Sequence, residues 1–246
     1  MSIAEKLVEI AQDLPKVYDA GFAAGQNAGG GGYAEGYEAG KQAEQSAFWD
    51  MYQQNGTRTY YLRAFQLVFT DEMFKPKYDI IPDNANQMFI EAPITNLKQL
   101  LESAGVILDT SKSRYTTQMF QYSTVTHVPT IDFSSSSVVS AVFSDTPNLV
   151  YIEKLIVKEA HTFPNAFARA NSLVEIRVEG IIAADLDIHW SPLSKASIES
   201  IVSCLSDSAS GKTVTFNKAA VLAAFGTEEA WTSYIASKPN WTFTLV

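Results

Sequence analysis

Four columns of apolar residues recur together in the middle of the chain, each returning at every twenty-fourth position. Met119, Phe143 and Phe167 form the first, Val125, Leu149 and Leu173 the second, Val128, Ile152 and Ile176 the third, and Phe133, Val157 and Ile181 the fourth. A fifth keeps Ile131 and Leu155 but places Glu179 in the last copy, a lapse of the kind that marks the end of a stack. Thr146-Pro147-Asn148 and Ala170-Asn171-Ser172 supply turn residues before the leucine of their copies. A period of roughly 20 to 29 residues with aligned apolar columns is the signature of a leucine-rich solenoid. Each turn offers one short strand and buries its apolar side only against a neighbour. Val125, Val128, Leu149, Ile152, Leu173 and Ile176 are the expected repeat core, within repeats spanning 119–190.

The N-terminal part carries a different period. Leu7, Ile10, Leu14, Val17, Gly21 and Ala24 alternate at spacings of three and four, the seam of a self-associating coiled coil. Gly29 to Gly32 interrupt it, because a glycine run is costly to hold in a helix. The pattern resumes from Tyr33 to Met51, with Tyr18-Asp-Ala-Gly21, Tyr33-Ala-Glu-Gly36 and Tyr37-Glu-Ala-Gly40 echoing one another. Residues 1–54 therefore read as a helical oligomerisation stalk hinged at 29–32, since so narrow an apolar stripe gains stability only by packing. Glycine and alanine in the seam discriminate poorly between two-fold and three-fold assembly; a trimer is favoured.

Between these parts, 55–118 reads as a connecting and N-terminal capping region punctuated by Pro76, Pro82 and Pro93, with a helix through Leu97, Leu100, Leu101 and Ala104 closed by Gly105. Residues 191–246 read as a C-terminal cap: a helix through Ile198, Ile201, Val202 and Leu205, a strand at 213–216, two helices, and a final strand alternating Trp241, Phe243 and Leu245 with threonines. The expected fold class is α+β: a helical, coiled-coil-like stalk, then a short leucine-rich-repeat solenoid, then a mixed α/β cap.

The stretch from Phe143 to Leu155 and its successor from Phe167 to Ile176 resemble BspA-like leucine-rich repeats of bacterial surface and phage proteins. The wider arrangement includes Ile3 to Leu7, Val17 to Gly21, Phe48-Trp49-Asp50 with Tyr52 to Gly56, Phe74 to Tyr78, and Lys238-Pro-Asn-Trp241-Thr. It is similar to virion-associated proteins of tailed phages of Gram-positive gut bacteria. That resemblance covers most of the chain and implies a tail, tail-fibre or other virion component, homo-oligomeric, attached to other virion proteins or to a host surface glycan or protein. It implies no catalytic residue. The Gly29 to Gly32 run departs from the usual continuous opening.

Composition narrows the partners. A formal charge of -9 disfavours nucleic acid, whose binding rests on neutralising phosphates with Lys and Arg. The first residues lack the basic flank and apolar core of a secretory signal, and no window reaches the roughly 20 apolar residues of a membrane span, so the expectation is synthesis in the host cytoplasm; residence in the virion is what the resemblance implies. The single cysteine, Cys204, excludes an internal disulfide and reads as a buried, inert thiol.

No catalytic, cofactor or metal residue is expected. Ser206 to Thr213 resembles a phosphate-binding loop, but Ser206 replaces its first glycine and the helix precedes the strand, the reverse of the order that aims amides at phosphate. His127, His161 and His189 are not spaced as a ligand pair and read as solvent-facing or loop residues. Asp185 and Asp187 share a strand face and could serve glycoside hydrolysis, although a solvated acidic surface is the ordinary reading. Tyr60, Tyr61, Tyr115 and Tyr122 could stack on sugar rings if exposed. The alternatives to a virion structural protein are a bacterial cell-surface leucine-rich-repeat adhesin and a glycan-degrading virion enzyme.

Overall fold

Phenylalanine recurs once per turn along the middle of the chain, and the rings meet. Phe89 and Phe120 stack at 5.1 Å between centroids, Phe120 and Phe143 at 5.4 Å, and Phe143 and Phe167 at 5.5 Å. All four are buried. This spine lies in a computed structural model that describes residues 70–246 except 73, 77 and 78, all within the unit Thr57–Val246. Leu7, Ile10, Leu14, Val17, Gly21, Ala24, the glycine hinge, Tyr60 and Tyr61 lie outside the described residues.

The described elements are α1 (Leu97–Ala104), β1 (His127–Val128), β2 (Ile131–Asp132), β3 (Tyr151–Val157), β4 (Glu175–Gly180), β5 (Leu186–Asp187), α2 (Lys195–Ser203), β6 (Lys212–Phe216), α3 (Lys218–Phe225), α4 (Glu228–Ile235) and β7 (Trp241–Leu245). Both sheets are parallel. In the first, β3 pairs with β1 and β2 on one side and β4 on the other; in the second, β6 lies between β5 and β7. Strands β1 and β2 are two pieces of one line interrupted at Pro129, which has no N–H to give a ladder. His127 pairs with Tyr151 and Ile131 with Leu155, both at the interval of the apolar columns.

The expected architecture of stalk, leucine-rich-repeat solenoid over 119–190 and separate cap is corrected: the described residues form an α+β fold with four helices and two small parallel sheets. The physical reason is that partners across the parallel pairings do not keep one interval. Ile80 faces Leu108 at an interval of twenty-eight, and Asn96 faces His127 at thirty-one. Twenty-four holds only from His127 through Glu175; Ile182 to Leu205 is twenty-three, Leu186 to Val214 is twenty-eight, and Val214 to Phe243 is twenty-nine. Helices take up the return paths, α1 between Asn96 and Leu108 and α2 between Ile182 and Leu205. Strand β5, inside the expected third repeat, belongs to the second sheet. A void of about 10 Å³ lies between the two sheets, lined only by apolar side chains including Val157, Val178 and Leu186, so a water would find no partner there.

Helix ends follow local chemistry. Asn96, Ser194, Asn217 and Thr227 cap the four helices by accepting from the backbone N–H three residues on. Gly105 ends α1 at φ 67°, in the left-handed region glycine enters without a Cβ penalty.

The lapse at Glu179 has a structural cause. Between Ile152 and Leu155 the register slips, so Leu155 faces Val178, not Glu179, and Val157 faces Gly180. Val178 is buried and Ile181, expected in a core column, is 45% exposed. Gly180, at φ 108°, brings its backbone so near β3 that a Cβ there would lie 1.9 Å from the Val157 carbonyl oxygen. The first column shifts as well: Phe120 stands over Phe143, while Met119 is buried beside it.

Candidate binding surfaces

The six expected core residues Val125, Val128, Leu149, Ile152, Leu173 and Ile176 are all buried, none more than 3% exposed. Two sets of outward side chains are carried on the turns around them.

The first set rides the parallel strands. His127, Tyr151 and Glu175 are neighbours in register, with the His127 and Tyr151 rings 5.6 Å apart. Lys98 of α1 bonds Glu102 and reaches Glu153 at 3.3 Å, and Lys154 pairs with Glu179 at 3.0 Å. The Glu102 hydrogen bond, helped by Glu153, holds the Lys98 ammonium above its ordinary range. Burial acts to raise the Glu153 pKa, but its bonds to Lys98 and Thr130 outweigh this and lower it. These charges are mutually satisfied and lie at the surface, where solvent screening leaves such pairs little net effect on stability.

The second set rides the turns on the Phe spine. Among the described residues, eight other than glycine have positive φ, in pairs four apart: Gln87 and Glu91, Gln118 and Tyr122, Ala141 and Asp145, Asn165 and Arg169. Their geometry follows from two demands on the amides. Every second N–H donates to the next turn, as from Phe89 to Met119, Phe120 to Val142 and Phe143 to Ala166. The amides between them close local turns, as from Ile90 to Gln87, Gln121 to Gln118 and Ser144 to Ala141. Both sets of bonds form because the backbone changes hand at the paired positions, satisfying groups that would otherwise be buried unpaired. The residues between each pair are mostly buried, with the spine phenylalanine at their centre, and the paired residues are half-buried or exposed.

Across this outer face, Gln87 Nε2 donates to Gln118 Oε1 at 2.7 Å and Gln118 Nε2 to Gln121 Oε1 at 2.5 Å. Asp145 accepts from Ser144 Oγ at 2.7 Å and pairs with Arg169. The Arg169 guanidinium holds the Asp145 carboxyl below the usual carboxylate range. Tyr122 and Tyr115 are 53% and 58% exposed.

The remaining candidates are occupied by structural tasks. Asp185 Oδ1 accepts from the Thr213 amide at 2.7 Å, and Asp187 Oδ1 lies 2.6 Å from His189 Nδ1, so the two carboxylates fix separate loops. Ser206 and Ser208 bond Glu159, and Asp207 pairs with Lys238 in the loop that resembled a phosphate site. Cys204 is half-buried at the end of α2 with its sulfur 3.4 Å from the Val178 carbonyl oxygen, and burial raises its pKa, away from thiolate reactivity. Among the described residues no cluster of three or more His, Cys, Asp or Glu could hold a metal, and no helix is long and apolar enough to cross a membrane.

His161 lies in a loop, one of the two expected placements, but it is buried rather than solvent-facing. It is 1% exposed, with Nδ1 accepting from the Lys158 amide at 3.2 Å and Nε2 donating to the Ser136 carbonyl at 2.9 Å. Those two partners fix the neutral tautomer, and burial pushes its pKa down. No sequence period marks it; the hint available was its place between Lys158 and Phe163, in the return path of a turn.

No protein-family model, no curated protein and no solved structure matches this chain.

Proposed function

We propose that the chain is a structural and adhesive component of a tailed-phage virion, assembled as a homo-oligomer through residues 1–54, with a trimer favoured, and attached to another virion part or to the host surface. The observation that carries the reading is the pair of outward side-chain sets held on stacked turns. Backbone bonds and the Phe spine fix the interval between them, so binding costs little conformational entropy at the surface. Stacked-turn proteins characteristically bind through such repeated surfaces. The resemblance of the repeats and the flanking phrases to phage virion proteins supplies the setting. In this reading no residue is catalytic, because Asp185, Asp187 and Cys204 are engaged in the fold.

Immunogold electron microscopy of intact particles from a phage carrying this gene, with antibody raised to the full chain, tests the proposal. Gold on the tail or its fibres is the expected result. Unlabelled particles from lysates that contain the protein would contradict it, and gold confined to the bacterial envelope would favour an adhesin.

A further inference from the structure

We propose that the outer face of the spine turns, centred on Tyr122, binds an extended saccharide chain laid across the turns. The backbone gives the first reason. All four described glycines sit at positive φ, so this chain uses glycine where a left-handed residue is needed elsewhere. None of the eight left-handed positions on the turns is glycine. Each side chain there is kept against the penalty a Cβ incurs in that region, and a bulky residue with positive φ is an outlier that points to function.

Some of these side chains repay the conformation by bonding one another, as Gln87 does with Gln118 and Asp145 with Arg169. Tyr122 makes no hydrogen bond through its side chain and stacks on no ring among the described residues, yet it holds φ 60° with half its surface in water. The Arg169 guanidinium lies within electrostatic reach of its phenol. An exposed aromatic ring on a face that also carries amides, a carboxylate and a guanidinium is the composition that recognises sugars. The ring takes the apolar face of a pyranose, and the polar groups take its hydroxyls.

Spacing selects the form of the ligand. The stacked Phe rings of successive turns lie 5.1 to 5.5 Å apart. An extended β-1,4-linked chain advances by a similar distance per pyranose, so successive sugars would meet successive turns. An extended peptide advances about 3.3 Å per residue and falls out of step. A saccharide-binding face would serve a bacterial adhesin as well as a virion, so failure here leaves the particle-labelling result standing.

Isothermal titration of the full chain with cellohexaose and chitohexaose, for the wild type and for Tyr122→Gly and Tyr122→Phe, decides the matter. The expected result is that one of the hexasaccharides binds the wild type and Tyr122→Phe, and binds Tyr122→Gly at least tenfold more weakly. The thermal midpoint of the glycine variant should stay close to that of wild type, because the relief of the left-handed backbone offsets the loss of the half-covered ring. Wild type that takes up neither oligosaccharide, or a glycine variant that binds as tightly as wild type or melts well below it, would overturn the proposal.

Discussion

From Phe89 to Phe167 the spine rings lie nearly parallel, at interplanar angles of 0°, 8° and 21°, whereas around α4 Trp231 meets Phe216 at 86° and Phe243 at 90°. Both arrangements bring rings within favourable distance. They differ because moving from one turn to the next is close to a translation, and a translation preserves ring orientation. A residue repeated once per turn can therefore meet its copies only face to face. Trp231 has no copy. It crosses its neighbours, and with Phe225 and Tyr234 it gathers β6, β7, α3 and α4 into one non-repeating cluster.

The heaviest blow to this comparison should come at the slipped register rather than at a ring. Gly180→Ala would drive a Cβ into the Val157 carbonyl, at a φ that side chains avoid. We expect a loss of about 3 kcal/mol or more, read by chemical denaturation. A change under about 1 kcal/mol would mean that β4 can slide along β3 and that the slip is not fixed.

Phe143→Ala and Trp231→Ala should each cost about 3–5 kcal/mol locally but distribute it differently. Removing Phe143 breaks the spine in the middle, so amides of β3 should lose hydrogen-exchange protection. Removing Trp231 should raise exchange in β6 and β7 while leaving β3 near its wild-type rate. Equal effects on both sheets would erase the distinction between repeating and non-repeating parts.

His161 sharpens the comparison through pH. It is neutral in the fold with its pKa lowered chiefly by burial, while Lys158 disfavours and Asp132 favours its charge. The unfolded chain therefore takes up the proton first. Stability should fall as pH drops below about 6.5 toward the lowered folded value, and be fully present above it. His161→Phe should flatten that part of the pH profile, measured as denaturation midpoint from pH 7 to 5, even though it leaves the Ser136 carbonyl without its donor. The smallest effect should come from Ser123→Ala. The Ser123 hydroxyl is buried without a partner among the described residues, so its removal should be neutral or raise stability by up to about 1 kcal/mol.

Much of this was legible where residue type and interval repeat together. The buried column positions from Val125 to Ile176, the helix through Leu97 and Leu101 with its Gly105 end, the helix through Ile198, Ile201 and Val202, and the alternating strand from Trp241 all follow from period and capping chemistry. What stayed hidden was geometry that changes by a single residue. Met119 and Phe120 are both apolar, and only ring stacking shows which stands over Phe143. Glu179 breaks its column because the backbone slips, and the adjoining glycine is the sole trace of that in the sequence. The longer upstream turns, from Ile80 to Leu108 and from Asn96 to His127, were missed because columns at unequal intervals do not align. For the outer face, Tyr122 was visible as an aromatic residue; its left-handed backbone was not, since nothing about tyrosine foretells positive φ.

The central claim is that the segment from Phe89 to Phe167 is built by translating one turn onto the next, and excising whole and partial turns tests it most directly. Phe143 and Phe167 occupy equivalent places on successive turns, so deleting 144–167 removes one complete turn and rejoins equivalent positions. Deleting only 144–155 rejoins positions half a turn out of step. The account predicts that the whole-turn deletion unfolds in a single cooperative transition at a lower midpoint than wild type, and that the half-turn deletion shows no such transition by circular dichroism. Two deletions that behave alike would contradict it.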